Sequence, residues 1–380
     1  MSQNVYLDYA AATPLDPEVL EAMQPFLTDQ FYNPSATYSA AINVRKQLEA
    51  GRSKVAHWLG ANSSDIIFTA GGTEANNLAI HGVMQQFAGA NIVVSSIEHD
   101  SVLVPANQYE VRHVAVDEKG RVNLEDLAKK IDENTALVSV MYANNEIGTI
   151  QPIREVAKIV HAINDERRTT NGLPLYLHTD ACQAANYLDL HVSRLGVDLM
   201  TVNGGKIYGP KQSGCLYVKP GTKLTPLIYG GGQERKLRSG TENVANCVGF
   251  AHALDIAQQC RHEENERLQQ LQQTFIKALQ ASVPSAQVNG SLKHRLPNNV
   301  HVTFPGVDNE RVLIQLDEAG IMAAAGSACS ASTEESSHVL RAIGVSETDA
   351  QASLRFTMGR HTDEAAIKTT VATLAQLVKT

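Results

Sequence analysis

Short, continuous apolar runs alternate with longer segments of helical period along the first two thirds of the chain. The runs at residues 91–98, 135–143, 175–180, 198–202 and 214–218 are apolar at successive positions rather than at every second one, the pattern of strands buried on both faces. Helix-length segments such as residues 153–168 separate them. The alternation predicts an α/β fold with a mainly parallel sheet covered by helices. Ligands of such sheets gather at the carboxyl ends of the strands. The polar residues that fall there are Glu98 and His99, Asn144 and Asn145, Asp180 and Gln183, and then Lys206. From residue 244 to about 283 the pattern becomes one long helical stretch with a charged segment at 261–267, read as a bridge to a second lobe. Residues 299–304 and 354–358 read as strands of that lobe and 363–379 as its closing helix. The expected division is a large lobe at 15–260 and a smaller α+β lobe made of 1–14 and 261–380.

Composition narrows the function classes. The 380 residues are 43% hydrophobic and 19% charged, an ordinary globular balance. A net charge of -8 with no polybasic run argues against a nucleic-acid surface. No apolar run approaches the ~18 residues a spanning helix needs, and the N-terminus lacks a basic stretch followed by an apolar one, so a cytoplasmic protein without membrane contact is expected. The five cysteines are odd in number and irregularly spaced, fitting neither a disulfide framework nor a zinc site; no metal is expected, and at most one or two thiols should be functional.

The candidate chemistry centres on Lys206. The run at 198–202 delivers this lysine into a turn rich in Gly and Pro, Asn203-Gly204-Gly205-Lys206-Ile207-Tyr208-Gly209-Pro210-Lys211, where backbone surrounds the amine. Desolvation lowers a lysine pKa, and a neutral amine is what a Schiff base with a carbonyl cofactor requires. A solvated loop lysine is the simpler reading of that segment alone. Ile66 to Leu78 reads as strand, glycine turn and helix, an anion site formed by helix N–H groups with the Thr73 hydroxyl, or equally a helix capped by Thr73. Asp180 at a strand end, beside Ala181, is a carboxylate in an apolar crevice that needs a partner. Either it faces the protonated nitrogen of a pyridine ring or it caps the following turn. His99 lays its ring on a cofactor or is a hydrogen-bonded loop histidine.

A phosphate site, an Asp at a strand end, Gln183 three residues on and then a lysine resemble fold type I pyridoxal phosphate enzymes. Further segments tighten the match: residues 6–14, Asn33-Pro34-Ser35, Gly72 to Asn77, Glu98-His99, Asn144 to Gly148, Asp180-Ala181-Cys182-Gln183, residues 206–211, 230–235 and 238–241, Gly326-Ser327-Ala328-Cys329 and Arg355-Phe356. In register over nearly the whole chain, they resemble the group I, NifS/IscS-type cysteine desulfurases of the class V aminotransferase family. The resemblance implies a large domain with a seven-stranded sheet and a smaller C-terminal domain. It also implies that Lys206 holds pyridoxal 5'-phosphate as a Schiff base, Asp180 pairs with the ring nitrogen, and Gln183 and Asn145 lie near the phenolic oxygen. His99 would stack on the ring and help move protons. Gly72 and Thr73, with residues Asn203 and Gly205 and with Thr241 from the second subunit of a homodimer, would form the phosphate site. Asn33 and Arg355 would hold the carboxylate of L-cysteine. Cys329, in a run of small residues read as a mobile loop at about 323–336, would take the substrate sulfur as a persulfide while L-alanine is released. An acceptor such as an iron-sulfur scaffold, or tRNA thiolation, would use it. The other four cysteines are expected to be packing residues.

One departure bears on the cofactor. Where the family usually reads Ser-Gly-His before the lysine, this chain reads Asn203-Gly204-Gly205, and loss of a charge-assisted contact predicts phosphate binding weaker by ~1.5 to 3 kcal/mol if nothing replaces it. The competing readings are another pyridoxal phosphate enzyme on the same scaffold, a selenocysteine lyase or an aminotransferase, the latter separated by its needing no mobile cysteine and hence no Cys329, and a protein that kept the fold and lost the chemistry.

Overall fold

A computed structural model describes residues 4–326 and 336–378. Cys329 and Ser327, with the centre of the small-residue segment, lie outside the described residues.

In chain order the strands are β1 (Val5–Tyr6), β2 (Ile66–Thr69), β3 (Asn91–Ser95), β4 (Glu110–Val114), β5 (Thr135–Ser139), β6 (Tyr176–Asp180), β7 (Leu199–Asn203), β8 (Gly214–Val218), β9 (Gln287–Val288), β10 (Asn299–Thr303), β11 (Ile321–Met322) and β12 (Ser353–Thr357). Strands β2 to β8 form one seven-stranded sheet in the order β2-β8-β7-β6-β5-β3-β4. The pairs from β4 to β7 are parallel, and β8 runs antiparallel to both of its neighbours. The reason is local: β7 and β8 are joined only by the turn that carries Lys206, too short for the crossover a parallel pair needs. The inner strands β3 and β5 are buried at every position, as the unbroken apolar runs predict, and so is β2 at one end of the sheet. At the other end β4 carries Glu110, Arg112 and His113 and is half exposed, as an edge allows.

The predicted helix at 153–168 is present as Ile153–Thr169. The long helical stretch is not continuous: Val244–Gln259 and Arg261–Ser282 meet at Cys260, which caps the first helix. Cys260 is exposed, so it is not a packing residue as expected; the other three described cysteines, Cys182, Cys215 and Cys247, are buried. A separate hydrophobic cluster joins Leu7 to Leu268, Phe275, Val300, Phe356 and Leu374. It forms around β10, which pairs antiparallel with β12 and β9, while β1 pairs parallel with β11. The N-terminal segment is thereby tied to the C-terminal part of the chain, and Asp8 also bridges to Thr357. The last helix, Glu364–Leu377, starts at an Asp363 cap. No helix among the described residues is long and apolar enough to cross a membrane.

Candidate active site

The strands β3, β5, β6 and β7 point their carboxyl ends at one cavity of about 260 Å³. Several predicted runs outlast their strands: 91–98 leaves the ladder after Ser95 and 135–143 after Ser139. Most of the surplus residues stay buried in the loops that follow, which is why they read as strand.

Lys206 ends a 3₁₀ turn that follows β7 directly. Gly204 starts that turn where a Cβ would lie 2.1 Å from Ser213 Oγ, so the tight path needs glycine. The Lys206 ammonium donates to the carbonyls of Ala10 at 2.8 Å and Ala11 at 2.6 Å. Burial lowers its pKa and the Arg355 charge pushes the same way; together these outweigh Cys182, Asp8 and Asp180, which raise it. The desolvated lysine expected from the Gly-rich turn is therefore present, held by backbone oxygens.

Asp180 ends β6, buried, with no ion pair among the described residues. One oxygen accepts from the Cys182 N–H at 2.9 Å and the other from Asn76 Nδ2 at 2.7 Å. Capping the turn thus uses one oxygen only. Asn76 lies in the first turns of the helix Gly72–Met84 and also donates to Ser101 Oγ at 2.8 Å; its own Oδ1 is buried without a partner among the described residues. Sequence reasoning missed Asn76 as a site residue, although its motif was legible. The helix is capped by Gly71, not Thr73, which leaves the exposed Thr73 hydroxyl free of that duty. A Cβ on Gly72 would stand 2.8 Å from Cys182 Sγ and 3.4 Å from Asn203 Nδ2, so this close cradle tolerates only glycine. Burial pushes the Cys182 thiol well up, and Asp180 adds to it, which keeps this cavity cysteine a poor nucleophile.

His99 caps the helix Asp100–Ala106: its Nδ1 accepts from the Ser101 N–H at 3.0 Å. In the neutral ring that bond places the proton on Nε2. Glu98, just before it, is fully buried; its Oε1 accepts from the Ser95 hydroxyl and from the Met141 N–H at 2.7 Å. Its carboxyl is pushed up to about 8, chiefly by burial. Across the cavity, Arg355 on β12 donates through Nη1 to the Asn145 carbonyl at 3.0 Å and through Nη2 to Asp8 Oδ1 at 2.8 Å. Gln183 Nε2 donates to the Ala10 carbonyl at 3.0 Å.

Gly72, Thr73, His99, Asn145, Asp180, Gln183, Asn203, Lys206 and Arg355 all line this one cavity. Gly205 is buried beside it, its N–H given to Asn203 Oδ1 at 2.9 Å. Asn33 and Thr241 are exposed and do not line it; Asn33 Oδ1 accepts from the Ser35 N–H at 2.9 Å. The residues present fit pyridoxal phosphate. A helix start whose first N–H groups have no intrahelical acceptor suits its phosphate, and a carboxylate and a desolvated amine stand in the same space as the unpartnered Asn76 oxygen.

The aminotransferase class-V family model matches residues 5–369. The cysteine desulfurase IscS of Dictyoglomus turgidum is 42% identical over 100% of this chain and 95% of its own length. Cysteine desulfurase IscS 1 of Archaeoglobus fulgidus is 42% identical over 94% of this chain and 93% of its own length. Among solved structures, a NifS-like protein superposes with a TM-score of 0.91 at 33% identity, covering 99% of this chain and all of that one. The protein SspA, solved in complex with cysteine, gives 0.81 at 33% identity over 93% of this chain and 98% of its own. The chain belongs to the class V aminotransferase family of fold type I pyridoxal phosphate enzymes and, within it, to the group I, NifS/IscS-type cysteine desulfurases. It is an enzyme of that activity, with pyridoxal phosphate as its cofactor.

Proposed function

We propose that this enzyme takes the sulfur of L-cysteine onto Cys329 and releases L-alanine, with Lys206 as the lysine that binds the cofactor. The observation that carries the reading is the desolvated, backbone-held amine of Lys206 in one cavity with Asp180 and Arg355. Bound pyridoxal phosphate supplies an electrophilic carbonyl and an electron sink. Asp180, oriented by Asn76 and the Cys182 N–H, would pair with the ring nitrogen. His99 would pack on the ring, and Asn145 and Gln183 would bind the phenolic oxygen. Gly72 and Thr73 would hold the phosphate through their N–H groups, with Asn203 and Gly205 and with Thr241 of a second subunit in a homodimer. Arg355 anchors the substrate carboxylate, with Asn33 as its second contact.

A neutral Lys206 removes the proton from the substrate Cα and can return one. The Cys329 thiolate attacks the substrate Sγ, so an S–S bond forms as the Cβ–Sγ bond breaks; the bonding pair leaves with Cβ, which takes a proton to become the methyl group of L-alanine. A thiol or an acceptor protein, serving iron-sulfur cluster assembly or tRNA thiolation, then removes the outer sulfur. Residues 15–260 form the cofactor domain in this reading, with 1–14 and 261–380 as the smaller one, in a cytoplasmic enzyme.

The test is alanine and sulfide release from L-cysteine and a thiol reductant by the cofactor-loaded protein, beside Cys329→Ala and Lys206→Ala. Alanine formation lost in both variants, with the cofactor's Schiff-base absorbance lost only in Lys206→Ala, is the expected result. Alanine formation that persists without the Cys329 thiol overturns the persulfide route.

A further inference from the structure

Arg355 is 1% exposed and forms part of the cavity wall. Its guanidinium is only partly used: Nη1 holds the Asn145 carbonyl, Nη2 holds Asp8 Oδ1 at 2.8 Å, and Nε is buried with no hydrogen-bond partner among the described residues. A buried guanidinium needs a counter-charge, and Asp8 supplies it. The Asp8 side chain is 20% exposed, so it reaches solvent where Arg355 does not. Its backbone is pinned: the Asp8 carbonyl accepts from the Tyr6 hydroxyl at 2.9 Å and the Ala11 N–H at 3.0 Å. Side-chain rotation alone can therefore release the carboxylate to water while the following carbonyls keep their hold on Lys206.

We propose that Asp8 is the resident counter-ion of Arg355 and that a ligand carboxylate must take the guanidinium from it, which makes Asp8 a determinant of affinity for the carboxylate end of the amino acid. The proposal rests on the reading of Arg355 as the carboxylate anchor. Two carboxylates on one guanidinium repel each other at close range, and more strongly in a buried site than in water. The ligand's carboxylate thus binds against the cost of displacing Asp8. Neutralising Asp8 removes that cost and leaves Arg355 a cation with an open claim on any carboxylate that enters. The ligand's amino end gains nothing.

The experiment uses the loaded enzyme and compares inhibition constants of L-alanine and L-alaninamide against L-cysteine, for wild type, Asp8→Asn, Asp8→Ser, Asp8→Glu and Arg355→Ala. In Asp8→Asn the L-alanine constant should fall about tenfold, the scale of one charge-assisted hydrogen bond, with the L-alaninamide constant unchanged. Asp8→Ser should behave alike, and Asp8→Glu should restore the wild-type ratio. Thermal unfolding adds a readout without turnover: both neutral variants melt below wild type alone and recover more of the difference than wild type does when L-alanine is added. If Arg355→Ala leaves the wild-type preference for L-alanine over L-alaninamide intact, the carboxylate-anchor reading fails. If Arg355→Ala removes the preference but Asp8→Asn and Asp8→Ser leave it unchanged or weaken it, Arg355 stands and the role of Asp8 is overturned.

Discussion

Among the described residues, two arginines are buried against carboxylates, Arg52 at 3% exposure and Arg355 at 1%, and they serve different ends. Arg52 uses its whole fork. Nη1 and Nη2 each meet an oxygen of Glu234 at 2.7 Å, Nη1 also meets the Ile66 carbonyl, and Nε reaches Glu49. Glu234 in turn accepts from the Phe68 N–H at 2.8 Å. The pair anchors a turn in which Glu234, Arg235 and Lys236 all have positive φ, a strained path for residues with side chains. Arg355, by contrast, keeps donors in hand and borders a cavity. A buried charge whose three nitrogens are all hydrogen-bonded is a clamp; one with a nitrogen unspent in a cavity wall is equipped to bind.

The largest effect should fall on the clamp. Glu234→Ala leaves Arg52 buried without its acid and should cost ~3 to 5 kcal/mol of stability, read by denaturant unfolding. Arg355→Ala leaves only Asp8, which can rehydrate, so a smaller stability loss is expected there. Its penalty appears in catalysis: a fall in kcat/KM worth ~1.5 to 3 kcal/mol, carried mainly by KM for L-cysteine. A stability loss in Arg355→Ala equal to that of Glu234→Ala would erase the distinction between the two sites.

A third effect concerns the phosphate side of the cavity. A Cβ on Gly205 would meet Asn203 Oδ1 at 3.5 Å and Lys211 Cγ at 3.9 Å, which are ordinary contacts, so the backbone there accepts a Cβ. Gly205→His should strengthen pyridoxal phosphate binding by ~1 kcal/mol, about fivefold, through one restored hydrogen bond, measured by titrating the apoprotein. Asn203 already spends its Oδ1 on the Gly205 N–H, leaving Nδ2 as the donor that faces Gly72.

The last effect is one of pH and separates buried acids with and without a guanidinium. Glu98 has none, and burial raises its carboxyl from 4.5 to about 8. The folded state therefore keeps a proton that the unfolded state loses. The stability Glu98 contributes is full below about 4.5 and declines as pH rises toward 8. Glu98→Gln should flatten this part of the profile, so the variant gains on wild type between pH 5 and 8 in thermal unfolding. An unchanged difference across that range would mean Glu98 ionises normally.

The strand-end residues were legible because a parallel sheet fixes where its ligands lie. Apolar runs marked β3, β5, β6, β7 and β8, and the residues at their ends, His99, Asn145, Asp180 and Lys206, do share one cavity. The edge strand β4 gave no such run, since an edge need not be apolar. The break at Cys260 was hidden because both helices share one period and no Gly or Pro marks the joint.

What the sequence determined by itself is the sheet, the order of the site along it and the family, because periodicity and motif spacing are properties of the chain alone. Only the tertiary structure decided the partners. Asp8 meets Arg355 across 347 positions and the Ala10 carbonyl meets Lys206 across 196, distances at which no local pattern carries information. Burial and hydrogen-bond satisfaction are set by those encounters, and they turn one buried arginine into a clamp and leave the other open to a ligand.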